Sequence, residues 1–365
     1  MNSKQISYGI IRAVLILGLI VLLGYVIFQI RVIFLYILFS SVISLLGRPL
    51  VIFLRNKLKF PRDLAVLFVL SIIFGLLIGL FYILTPLIVE QGKQLTEIDV
   101  ETYKYNLQNF VLEIGEFFGV SKLEMYNYIS ESEYVKEFDM NVIYKFIRNV
   151  FGSIGNLLIG FFSVLFISFF LLRDSSILIN SILVFVNKGE EVKVRLVFDR
   201  IKNLLSRYFL GVFTQLGIIF SLNSILLLFI GVDNAVTIAL ICAILNIIPY
   251  LGPIMGYSLM VLFVISNNLG LNFSIIVFPQ LVSITLGFLI IQLIDNLLNQ
   301  PIIFGKSVKA HPLEIFVVII ASGFLFGVLG MIIAVPTYTA IKVIASQFWS
   351  DYKIVDRLTR NFKSN

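Results

Sequence analysis

Apolar residues in this chain run in long unbroken stretches rather than in one-sided stripes. Residues 13–30, 32–47, 64–89, 151–172, 208–232 and 315–341 contain no Lys, Arg, Asp or Glu. From Asn234 to Ile294 there is again no charged residue. A bilayer-crossing helix needs about 20 predominantly apolar residues, so this last run has length for two crossings. The pattern therefore predicts eight membrane segments, with Arg31 marking a tight turn between the first two.

Three segments break the apolar pattern. The longest run contains Asn246, Pro249, Tyr250, Gly252 and Pro253 within eight residues. Proline lacks a backbone donor and glycine admits left-handed geometry, so an unbroken helix is not expected there. The same run ends on Gln292, Asp295, Asn296 and Asn299. Their offsets of 0, 3, 4 and 7 place them on one helical face. Further on, Gly323, Gly327 and Gly330 precede Pro336. That spacing suits close helix contact, or the tip of a re-entrant hairpin.

Outside the apolar runs, Leu107, Phe110, Val111, Ile114, Phe117 and Phe118 follow helical spacing, with Gly119 as a stop. A second amphipathic stretch runs from Tyr134 to Ile147. These predict a small helical cap on the membrane domain or, alternatively, a partner contact. Residues 176–206 alternate apolar and basic faces, as an interfacial helix on a leaflet would.

Composition strengthens this picture. The chain is 59% hydrophobic and 13% charged, against about 25% charged in soluble domains. The expected class is an all-α polytopic integral membrane protein of about eight transmembrane helices with broken or re-entrant segments. No cleavable signal is evident. One Cys and one His exclude an intramolecular disulfide and disfavour a metal centre, so no cofactor is expected. The net charge of +7 lies beside the spans, which suits membrane lipids rather than nucleic acid.

Basic residues orient the chain. Arg48, Arg55, Lys57, Lys59 and Arg62 follow the second span and predict a cytoplasmic loop. Residues 91–150 hold 6 Lys/Arg against 10 Asp/Glu, as an outside segment can. Four parts follow: N-terminal spans in 1–90, an extracytoplasmic helical insert in 91–150, a transport region in 151–350 and a cytoplasmic tail in 351–365. The transport region includes a cytoplasmic amphipathic segment at 173–207. Both termini fall in the cytoplasm, and the loop 301–314 falls outside.

No hydrolytic, redox or nucleotide-binding motif is present, so a non-enzyme is expected. A polar stripe on an apolar helix faces protein or water, not lipid. Asp295 then either holds helices together or exchanges a proton along a substrate path. The Pro-Gly break either kinks a helix or frees backbone groups for a substrate or ion. His311, a lone loop histidine, is incidental or a pH sensor.

Taken together, Ile248-Pro249-Tyr250-Leu251-Gly252-Pro253, Asp295 with Pro301 and Gly305, His311-Pro312-Leu313, Phe326-Gly327-Val328-Leu329-Gly330-Met331 and Ala334-Val335-Pro336 resemble the autoinducer-2 exporter family. The resemblance covers nearly the whole chain. It implies a homo-oligomeric secondary transporter of the bacterial cytoplasmic membrane. It implies either export of a small polar solute like autoinducer-2 or sodium(lithium)/proton antiport. A non-transporting scaffold is a third reading, against which the broken helices count. The residues expected along a substrate or ion path are Asn246, Pro249, Tyr250, Gly252, Pro253, Gln292, Asp295, Asn296, Asn299, Gly327 and Gly330.

Overall fold

A computed structural model describes residues 3–97, 100–121, 124, 154–174, 176–268, 271–301, 308, 310–350, 352 and 355. The amphipathic stretch expected from Tyr134 to Ile147 and most of the tail lie outside them. Among the described residues there is no strand. The helices are α1 (Ser3–Gln29), α2 (Arg31–Lys57), α3 (Arg62–Glu97), α4 (Val100–Phe117), α5 (Ile154–Arg173) and the short α6 (Ile177–Leu183). After them come α7 (Glu191–Ile230), α8 (Ala235–Leu245), α9 (Leu251–Asn267), α10 (Phe278–Ile294) and α11 (Pro312–Phe348). Single π-helical turns flank α10, at Phe273–Val277 and Asp295–Asn299.

The chain divides into two compact units, Met1–Ile73 with Ile154–Asn180, and the remainder. In the first, α2 packs along α5. Gly160 lets the two approach, because a Cβ there would lie 3.2 Å from the Tyr36 ring. Ser40 Oγ donates to the Tyr36 carbonyl of its own helix at 2.6 Å and also lies 3.1 Å from the Val164 carbonyl, a serine contact of the kind that joins membrane helices. One end of the unit carries exposed ion pairs, Arg173–Asp63 at 3.1 Å and Arg62–Asp174 at 3.9 Å.

The second unit is organised around α7, which touches α8, α10 and α11. Its 40 residues give a length of roughly 60 Å, well beyond a bilayer core. The amphipathic face expected over 176–206 forms the first part of this helix. Val197 and Leu204 are buried there against Val343, with Ile201 and Phe348 beside them. Protein covers this part of the face, whereas Val184, Phe185, Val192 and Leu196 of the same segment stay exposed.

The helices α8 and α9 form a hairpin. Cys242 Sγ donates to the Gly256 carbonyl at 3.3 Å. In a continuous helix these residues would lie about 21 Å apart. At the crossing, a Cβ on Gly252 would stand 2.2 Å from the Leu245 carbonyl oxygen, so only glycine fits. A second hairpin is formed by α11. Lys342 Nζ and Glu314 Oε2 are 2.8 Å apart, and Tyr338 donates to the same oxygen. A straight helix would separate residues 314 and 342 by about 42 Å. The reversal occurs at Gly327, with φ 64° and ψ −152°, a conformation essentially confined to glycine. Gly330 lies where the two arms pass, against the Ser322 carbonyl.

All eight expected apolar segments are present, and two of them are these hairpins. The arms of the first, 11 and 17 residues, reach roughly 16 and 26 Å, too short to cross. The first arm of α11, 312–326, reaches roughly 22 Å. Among the described residues, α2, residues 62–85 of α3, α7, the helix Phe273–Asn299 and α11 are each long and apolar enough to cross a bilayer, while Val14–Val26 of α1 and Leu158–Arg173 of α5 are shorter apolar stretches. Charge-free length marks a membrane segment but does not distinguish a crossing from a return, because both faces of a hairpin tip are apolar.

The expected helical cap is seen in α4. Phe110, Ile114 and Phe117 pack on Phe273, Val277 and Phe278 at the start of α10. Glu113 adds an oriented contact by accepting from the Phe273 backbone N–H at 2.9 Å.

Candidate functional site

The tip of the first hairpin packs on the arms of the second, whose own tip around Gly327 is exposed. Ile248 joins Ile315, Ile319, Ala334 and Val335 in one buried cluster with Tyr208 and Val212 of α7. Tyr250 holds a φ of +67°, costly for a non-glycine residue, and its ring lies 5.6 Å from Phe316. Most backbone donors at the tip are used locally: Asn246, Ile247, Ile248, Leu251 and Gly252 all donate to carbonyls of residues 242–249. The break therefore frees fewer backbone groups than its prolines suggest.

Beside this tip lies a cluster of side-chain amides around one acid. Asp295 is fully buried, 0% exposed. Gln215 Nε2 on α7 donates to both its oxygens, at 2.8 and 2.9 Å. Asn299 Nδ2 donates at 2.9 Å and Gln300 Nε2 at 3.4 Å. Among the described residues the partners of Asp295 are neutral amides, and no ion pair to it occurs. Amides serve a carboxylate as donors and, after a flip, a carboxylic acid as acceptors. A guanidinium could not do both.

The stripe expected on one face is split. Asp295 and Asn299 turn toward α7, while Asn296 is exposed and accepts from Gln292 at 3.3 Å and Gln300 at 2.6 Å. The cause is the π-helical turn Asp295–Asn299, which widens the helix and offsets the 0, 3, 4, 7 register. Gln300 joins both halves.

Two cavities of about 10 Å³ flank buried Asn246, each with room for about one water. Gln215, Gln300, Val212 and Pro249 line the first. Asn223, Gln292, Cys242 and Pro253 line the second. Thus Asn246, Pro249, Pro253 and Gln292 meet at these cavities, and Asp295 bonds to two residues of the first. Tyr250 and Gly252 shape the hairpin tip beside them. Gly327 and Gly330 shape the other hairpin and line neither cavity.

Gln215 and Asn223 escaped the sequence reading. A signal was present: two amides at i and i+8 in an otherwise apolar span, with Ile219 between them. All three are buried. His311 caps α11, with Nδ1 accepting from the Leu313 N–H at 3.3 Å, which gives it a local structural role.

Comparison with known proteins gives a consistent result. Residues 14–349 match the sequence model described as AI-2E family transporter. YueF of Bacillus subtilis is 26% identical, over 84% of this chain and 80% of its own. YrrI of the same organism is 24% identical over 87% of each chain. MJ1177 of Methanocaldococcus jannaschii is 23% identical over 97% of this chain and 100% of its own. All three are named only as candidate transport proteins.

Proposed function

The chain belongs to the AI-2E family of transporters, and on that premise we propose that it is a secondary permease for a small neutral polar solute of the autoinducer-2 kind. The observation that carries this reading is the pair of cavities around Asn246, lined by Gln215, Asn223, Gln292 and Gln300. Neutral amides donate and accept hydrogen bonds without imposing a charge, which suits an uncharged solute. The tip of the first hairpin, beside them, is a short glycine-dependent reversal, and such discontinuous helices are a recurring device of transporters.

The basic loops support a cytoplasmic N-terminus in a bacterial inner membrane. Treating both hairpins as re-entrant leaves α1, α2, α3, α5, α7 and α10 as crossings, and these six bring the tail back to the cytoplasm. The first hairpin enters from outside and the second from the cytoplasmic face. On this count the loop 301–314, with Lys306 and Lys309, lies inside. Counting the first hairpin as a crossing gives instead the external placement expected from the sequence. A homo-oligomer is carried over from the family resemblance, and sedimentation in detergent would check it.

Purified protein in proteoliposomes would take up labelled autoinducer-2, and Asp295→Asn would reduce the rate. Absence of uptake by the wild type, with activity restored in a known exporter control, would sink this reading. The burial of Asp295 among amides alone favours one second reading, sodium(lithium)/proton antiport. There a sodium gradient would drive proton flux that Asp295→Asn abolishes.

A further inference from the structure

Asn223 on α7 is 2% exposed, and no donor among the described residues reaches its Oδ1. A buried amide oxygen without a partner is rare and calls for a reason. This one lines the second cavity beside Asn246. Of the other polar residues lining it, Cys242 and Gln292 are engaged elsewhere, and Asn246 borders the same cavity. The Cys242 thiol donates to the Gly256 carbonyl at 3.3 Å, and Gln292 Nε2 donates to Asn296 at 3.3 Å.

We propose that this cavity is a subsite for one hydroxyl group of the transported solute, with Asn223 Oδ1 as the acceptor that reads its O–H. The proposal rests on the permease reading above and adds a specificity-determining residue to it. The volume, about 10 Å³, admits one water-sized group, so the cavity reads a substituent rather than enclosing a solute. The wall decides the chemistry. Ile219, Met260, Phe288 and Ile291 make most of it apolar. A dehydrated cation needs oxygen on most sides, whereas a hydroxyl needs one acceptor and tolerates apolar contact elsewhere. Asp295 is not among the lining residues, and both its oxygens already accept from Gln215. A site built to accept from a substrate hydroxyl also rejects analogues lacking it, because the oxygen then stays unpaired.

Cys242 is the only cysteine of the chain and lines the same cavity, so the rate at which its thiol forms a mixed disulfide with a thiosulfonate reports occupancy without engineering. The full-length protein in detergent is treated with methyl methanethiosulfonate in the presence of erythritol or ribose, and separately of sodium or lithium chloride. Erythritol or ribose should slow modification about threefold at twice its Kd. Asn223→Leu should lose this protection, and Asn223→Ser, which keeps an acceptor, should retain part of it. Asn223→Leu should also unfold at an equal or higher temperature, since it removes an unpaired buried acceptor. Protection by the salts alone, equal protection in Asn223→Leu, or no protection by either polyol overturns the subsite. A lower unfolding temperature in Asn223→Leu also overturns it, because Asn223 would then be structural. Thiol modification measures binding alone, so polyol protection without solute uptake would leave the subsite standing and sink the permease reading instead.

Discussion

Gln215 Nε2 stands 2.8 Å from one oxygen of Asp295 and 2.9 Å from the other, so a single amide on α7 bridges a fully buried carboxylate in the π-helical turn that follows α10. The bridge joins helices 80 residues apart in the chain. Removing the amide leaves the acid buried with only Asn299 and Gln300. Gln215→Leu should therefore destabilise the protein by roughly 1–3 kcal/mol or more, the cost of an unsatisfied buried polar group. Asp295→Leu should cost less in the Gln215→Leu background than alone, with a coupling of about 1–3 kcal/mol. Thermal unfolding of the four proteins in one detergent measures the cycle, and additive effects would contradict the bridge.

The first hairpin makes a covalent prediction. A Cβ on Gly256 would lie 3.4 Å from the Cβ of Cys242, close to disulfide geometry. Gly256→Cys should thus form a disulfide with the native Cys242 under mild oxidation. Intact mass would show the loss of two hydrogens, and thiol titration would find none free. A continuous helix through 235–267 would leave both thiols titratable.

At the tip of the second hairpin, Gly327 holds φ 64° and ψ −152°. Any side chain there strains the backbone, so Gly327→Ala should cost roughly 1–3 kcal/mol. Gly217→Ala on α7 is the control, since no atom lies within 4 Å of the added Cβ. Unfolding temperatures of the two variants should differ in that order. An equal effect would argue against the reversal at Gly327.

Glu113 holds α4 to the start of α10 through the Phe273 N–H at 2.9 Å. Glu113→Ala should leave the aromatic packing of Phe117 in place and cost about 1 kcal/mol, as loss of a cap does. Hydrogen exchange should quicken at Phe273 and its neighbours while the α8–α9 hairpin is unaffected. Unchanged protection at Phe273 would show that the aromatic contacts alone hold α4.

Much of this fold was legible in the order of residues because lipid is a demanding solvent. A backbone that meets hydrocarbon must bond to itself, so charge-free length translates directly into membrane helix. Pro249 and Gly252 marked one reversal and Gly327 the other. What the pattern left open was whether each segment crosses or returns. That depends on contacts between distant residues, such as Glu314 with Lys342, which have no periodicity to read.

The site divides in the same way. Asp295, Asn246 and Gln292 were visible because polar groups stand out in an apolar run. Their partners were not. Gln215 and Asn223 sit in an ordinary-looking span, and only the packing of α7 against α10 and the first hairpin gives them meaning. Sequence alone determined that this chain is a membrane protein with two interrupted segments and a polar stripe, because solvation and backbone chemistry are local. Tertiary structure alone decided that the interruptions are hairpins, that the stripe divides at a π-helical turn, and that one amide oxygen is left unpaired. Those outcomes depend on which helices come together.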